Sequence, residues 1–199
     1  MRRALVDEII DEIIRNDENA VRTSVTPCCR LLLEEPWPAG VPELARRSPG
    51  EALKLLGSGW GGLAPDHAEE HLLRLGPNFG PGRGESRNEV FVIRGRGCGF
   101  GSSWIPEELL APGDLILISE GDTVPADLRL LRVRELRVDQ SALTGNARPV
   151  RKEQEWFGDG ENPEPAGIPD LCFRGTRVVA GTATAMVVAT GPRTLCASR

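Results

Sequence analysis

Around Glu89 the apolar residues of this chain change their spacing from that of helices to that of strands, and the change restricts the fold more than any other feature. Upstream, Leu5, Ile9 and Ile13, with Val6, Ile10 and Ile14, recur every four residues and make one apolar face on an otherwise charged helix over Arg2 to Arg15. Downstream the period is about two. Val90-Phe-Val-Ile93, Leu115-Ile-Leu-Ile118, Leu128-Arg-Leu130, Leu136-Arg-Val138, Arg177-Val-Val179 and Ala185-Met-Val-Val188 read as strands. Gly113-Asp114 and Gly121-Asp122 supply turns, and Ala180-Gly181-Thr182 reads as a turn between the last two strands. The pattern predicts an α+β protein, mainly β, with short N-terminal helices.

Four stretches follow. Residues 1–47 hold the amphipathic helix and an irregular extension, because Pro27, Pro36, Pro38 and Pro42 exclude long regular elements. The helix's apolar face calls for a partner surface on the domain or on another subunit, since its opposite face is mainly acidic and membrane-seeking helices carry Lys and Arg there. Residues 48–78 form a short helical segment. Ser48-Pro49-Gly50-Glu51 is a capping box with proline at the first helical position, and a second helix runs from Pro65 to Leu75 before Gly76-Pro77. Residues 79–88 are a glycine-rich linker, and residues 89–199 carry the strands. Within the last stretch, Glu153 to Asp170 is acidic and proline-rich, a surface loop by composition.

Charge and cysteine usage exclude several function classes. A net charge of -5 gives no general attraction to nucleic acid. The five cysteines, Cys28, Cys29, Cys98, Cys172 and Cys196, form no Cys-x-x-Cys pair, and the acidic residues Asp7, Glu8, Asp11 and Glu12 interrupt any signal-peptide core. Reduced thiols in a cytoplasmic protein are expected. A membrane-spanning helix needs about 20 consecutive apolar residues. The most apolar stretch, Val178 to Thr190, is shorter and carries Gly181, Thr182 and Thr184, so no segment should cross a bilayer.

His67 and His71 stand four apart on the second predicted helix, a spacing at which two imidazoles can share a metal. No third ligand accompanies them, and a solvated helix face is the better reading, with no metal or cofactor site. Gly95-Arg-Gly-Cys-Gly-Phe-Gly101 fits no Gly-x-Gly-x-x-Gly register and reads as a flexible turn. There is also no Gly-x-x-x-x-Gly-Lys-Ser/Thr phosphate loop.

Pro112-Gly113-Asp114, Gly121-Asp122, Pro125-Ala126-Asp127, Asp139-Gln-Ser-Ala-Leu-Thr-Gly145 and Pro149-Val150 together resemble the actuator domain of P-type cation-pumping ATPases. Leu171-Cys-Phe-Arg-Gly-Thr176 is most similar to the magnesium-transporting branch. Glu51-Ala-Leu53, Gly62-Leu63 and Gly76-Pro-Asn78 resemble the segment before the first membrane helix of those pumps. The resemblance covers roughly residues 48 to 195 in the family's order. It implies that the β part is a distorted jelly roll packed against the preceding short helices. It also implies that Thr144, Gly145, Asn146 and Ala147 form the loop that, in the family, carries a glutamate after Thr-Gly to position the water attacking an aspartyl phosphate.

Here that position holds Asn146 and the next Ala147. An amide cannot accept a proton as a carboxylate does, so general-base assistance of about 10²–10⁴ in rate should be lost and no catalytic residue is expected to be active. The residues 79–88 stand where the family has a hairpin of two membrane helices, and no phosphorylated Asp-Lys-Thr-Gly loop occurs before Arg199. Magnesium and ATP belong to the intact family; no cofactor is expected for this chain alone, nor ATP hydrolysis or ion movement by it.

Three readings follow from these features: a stand-alone actuator-like domain regulating a complete P-type ATPase in trans, a gene remnant without function, and a small metal-binding protein or hydrolase using His67, His71 and the thiols. The first places the chain in the cytoplasm, or at the cytoplasmic face of the plasma membrane when bound to a pump or its other cytoplasmic domains.

Overall fold

Local chemistry starts and stops the helices. In the computed structural model, which describes residues 41–79, 88–96, 99–156 and 164–197, α1 spans Val41–Arg46, α2 Pro49–Leu55 and α3 Pro65–Leu75. α2 opens as expected: the Ser48 hydroxyl accepts from the Glu51 amide while the Glu51 carboxylate accepts from the Ser48 amide. α3 begins on a proline and stops where Gly76 takes φ 77°. The prolines of residues 16–47 predict irregular chain, yet Val41–Arg46 is helical. Pro42 falls in the first turn, where a missing N–H breaks no helical bond. The predicted helix over Arg2 to Arg15, most of the glycine-rich linker, Cys28, Cys29 and Cys98 lie outside the described residues.

The strands are β1 Glu89–Arg96, β2 Gly99–Pro106, β3 Leu115–Ser119, β4 Asp127–Asp139, β5 Val150–Arg151, β6 Leu171–Cys172 and β7 Arg177–Ala189. They form one seven-stranded antiparallel sheet in the order β2-β1-β3-β7-β4-β5, with β6 also on β4. The fold is thus α+β and mainly β. Sequence periodicity divides β4 and β7 into two strands each, but both run unbroken for 13 residues. The expected turn at Ala180-Gly181-Thr182 is a bend inside β7, riding on a bulge of β4 where the register shifts between Arg134 and Arg137. Glu135 has φ 50° and Gly181 φ 78° there. A Cβ on Gly181 would lie 2.4 Å from the carbonyl oxygens of Arg134 and Glu135, so only glycine fits this crossing.

The bend brings both halves of each long strand onto a single interior. Leu128 and Leu130 share one apolar cluster with Leu136 and Val138, and Val178 shares it with Ala185 and Val187. This is the distorted jelly roll. The alternate residues point the other way: Ile93, Leu115, Leu131 and Met186 form a second cluster with Leu44 of α1 and Ala52 and Leu53 of α2. The helices therefore complete the sheet's second face.

One charge is buried where α1 meets the sheet. Arg129, fully enclosed, donates to the carbonyls of Leu44, Arg47 and Gln154 and lies 3.0 Å from Asp170. A guanidinium with five donors is suited to the unpaired carbonyls at a helix end. The far end of the predicted surface loop Glu153 to Asp170 is accordingly interior: Ala166, Ile168 and Asp170 are buried, because Gln140 and Lys152 donate to the Ala166 and Ile168 carbonyls.

A tie formed by Asn78 joins the helical segment to the sheet. Its amide group donates to the carbonyls of Glu107 and Pro125, and its Oδ1 accepts from the Arg174 guanidinium at 2.7 Å and the Gly191 amide at 2.9 Å. The backbone at the two ends of the linker meets one short segment: Asn78 N donates to Glu108 O, and Glu107 N donates to Asn88 O.

Candidate functional site

The loop after β4 is largely exposed. Asp139 Oδ1 accepts the Ser141 amide at 2.8 Å, and these bonds to Ser141 hold the Asp139 carboxyl below its ordinary value. The single turn α4, Ser141–Thr144, follows and ends at Gly145 in the left-handed conformation, φ 71°. Gln140, buried beneath, anchors the turn to Ala166. Leu143 packs partly onto the helix-facing cluster.

Beyond that anchor the tip is braced from within. The Thr144 hydroxyl donates to Gln140 O and accepts the Asn146 amide, while Asn146 Oδ1 accepts the Arg148 amide at 3.0 Å. Thr144, Gly145, Asn146 and Ala147 are all exposed. The structure thus brings the four predicted residues together on one protruding, preformed tip. Its side chains offer hydrogen bonds and no group that titrates near neutrality.

His67 is half-buried and His71 buried. The solvated-face expectation fails for His71, which is 7% exposed with Nδ1 2.7 Å from Pro112 O. Burial pushes its pKa down, against the pull of that bond. The imidazole pins α3 to the turn before β3. Among the described residues no group of three His, Cys, Asp or Glu side chains converges as metal ligands would. Of the Gly95–Gly101 run, Gly95 and Arg96 belong to β1 and Gly99 to Gly101 to β2, and the two strands pair antiparallel.

Three buried polar groups carry no role in the sequence-based reading. Asp127 accepts the amides of Arg174 and Leu195, and burial raises its carboxyl to about 7. Lys152 is enclosed with its ammonium 5.9 Å from the Phe173 ring centre, and burial lowers its pKa. Beside it Cys172 is raised by burial to about 11, so its sulfur stays a thiol. Arg94 binds Asp114 with two contacts of 2.7 Å, fixing the Pro112-Gly113-Asp114 turn against β1.

Residues 86–198 match the family model of the P-type ATPase actuator domain, and the chain belongs to that family. Among its relatives, Magnesium-transporting ATPase, P-type 1 of Escherichia coli strain K12 is 49% identical over 90 residues, 45% of this chain and 10% of that protein. The protein of the same name in Salmonella typhimurium strain LT2 is 44% identical over 95 residues, 47% of this chain and 10% of its own length. Probable cation-transporting ATPase F of Mycobacterium tuberculosis strain H37Rv is 46% identical over 90 residues, 45% of this chain and 10% of that protein. The chain spans about a tenth of the length of these relatives. No helix among the described residues is long and apolar enough to cross a membrane.

Proposed function

We propose that this chain is an actuator unit that docks without catalysing: its loop at Thr144, Gly145, Asn146 and Ala147 enters the phosphorylation site of a complete cation pump in trans and holds it without hydrolysing the aspartyl phosphate. The observation that carries this reading is the exposed, internally braced tip with an amide at Asn146. Docking needs shape and hydrogen bonds, which Thr144, Gly145 and Asn146 retain. Activating water needs a proton acceptor, which Asn146 is not. In this reading the chain takes no cofactor of its own, ATP and magnesium belong to the pump, and the site of action is the cytoplasmic face of the membrane. The likeness to magnesium-transporting relatives makes a magnesium pump the first partner to test.

The test is a phosphatase rescue. The protein and its Asn146→Glu, Ala147→Ser version are each mixed with a phosphorylated pump whose own actuator glutamate is disabled. Faster dephosphorylation by the restored version alone supports docking with lost catalysis. No effect from either folded protein, together with no association with the pump, would overturn it.

A second reading is a relic without function of its own. It is favoured by the short linker over residues 79–88, where the family's membrane hairpin is replaced, in combination with the amide at Asn146. Rapid proteolysis and broad NMR signals throughout the purified chain would support the relic; protease resistance across β3, β4 and β7 would count against it.

A further inference from the structure

A cavity opens on the β2-β1-β3 part of the sheet, lined by different residues from the Thr144–Ala147 tip, with a volume of about 420 Å³. That is the size class of sites that take a small ligand or one large side chain. Its aromatic wall is Trp104 and Phe91, directly paired across β2 and β1. The rings meet edge to face with centres 5.4 Å apart, and Trp104 remains 48% exposed. Leu117 lines it from β3, and Glu89, Glu107 and Asp122 supply carboxylates, with no Lys, Arg or His in the lining. Glu107 is already bound by Arg174 at 3.1 Å, and Asp122 accepts from the Ser119 amide and hydroxyl, so the charge presented outward rests on the exposed Glu89.

We propose that this cavity receives an arginine side chain carried on an extended peptide segment of a partner. An exposed indole face in a cavity that also presents the Glu89 carboxylate attracts a cation, and no Lys, Arg or His lines the wall to oppose it. Guanidinium fits better than ammonium because its plane stacks on the indole while its edge donates to a carboxylate. The extended form follows from the position of Trp104: β2 is the terminal strand of the sheet and pairs only with β1 among the described residues. Its outer edge can hydrogen-bond an added strand beside the ring. The proposal does not depend on docking by the Thr144–Ala147 loop.

The test titrates the full chain, labelled at its indole nitrogens, with N-acetyl-Leu-Arg-Leu-amide and with the Leu-Gln-Leu counterpart, reading the Trp104 resonance assigned through Trp104→Phe. A saturable shift is expected, with the glutamine peptide about three- to ten-fold weaker, as the loss of a half-exposed cation–ring contact implies. Glu89→Gln, a change at an exposed side chain, should narrow that difference, and Trp104→Ala should abolish the preference. Absence of a shift, equal binding of the two peptides, or an arginine preference surviving both changes would overturn the proposal. So would a Trp104 signal that moves with protein concentration alone, which assigns the surface to a second copy. A signal that moves on Arg2→Gln, Arg3→Gln alone assigns the cavity to the chain's own N-terminal segment, with the same consequence.

Discussion

Replacing Asn78 with alanine should loosen the whole fold, because its side chain satisfies backbone groups that have no substitute nearby. Asn78 is 2% exposed and makes four bonds, but the groups it serves are not equally dependent on it. Glu107 O also accepts the Leu110 amide, and Arg174 keeps the Glu107 carboxylate and the Asn78 carbonyl. Pro125 O and the Gly191 amide are the exposed losses, at 3.0 and 2.9 Å from the missing side chain. Each buried unpaired group costs about 1–3 kcal/mol, so Asn78→Ala should cost about 3 kcal/mol. With a urea slope of about 2 kcal/mol/M, the unfolding midpoint should fall by about 1.5 M at unchanged slope. Asn78→Asp should also destabilise, since it turns the donors facing two carbonyls into acceptors. Hydrogen exchange at the Gly191 amide should accelerate in both variants. A midpoint shift under about 0.3 M for Asn78→Ala at the wild-type slope, with Gly191 still protected, would refute the reasoning.

Asp127 binds its proton more tightly folded than unfolded, with a pKa of about 7 against the ordinary 3.8, because burial penalises its charge. Its contribution is therefore full below the unfolded value and is lost as pH rises through about 7. Urea midpoints at pH 5 and pH 8 should differ more in the wild type than in Asp127→Asn; an unchanged pH dependence in the variant would contradict this. Gly181→Ala places a methyl against the Arg134 and Glu135 carbonyls at positive φ, and should cost about 3 kcal/mol or abolish folding. Gly121→Ala, at φ 91° with open space around it, should cost only about 1 kcal/mol, both variants being compared by thermal melting. Equal melting temperatures for the two variants would show that the crossing at Gly181 is not crowded.

What the sequence revealed depended on whether the physics was local. The capping box at Ser48 and the stop at Gly76 follow from a few neighbouring residues, and both are present. The Thr144–Ala147 tip is singled out by the family resemblance rather than by its turn chemistry, although the bonds that brace it lie within the same short stretch. The continuity of β4 and β7 was not legible, since a glycine inside a strand and a glycine in a turn look alike until the partner strand's bulge is known. Arg129 alternates with Leu128 and Leu130 as a solvent-facing residue would, and only the carbonyls at the end of α1, contributed by residues far away in the chain, explain its burial. The burial of His71 is hidden from the sequence for the same reason: its partner, Pro112 O, is 41 residues distant.

The meeting of Asn78 and Asn88 around Glu107 and Glu108 also makes this junction a socket for insertion. Once the backbone on either side is pinned to one short segment, what runs between the two points need only leave and return close together. A loop's closure entropy grows slowly with its length, so a long insert there is tolerated almost as well as a short one. A fluorescent reporter whose termini lie side by side could be spliced into residues 79–88 with the sheet left intact.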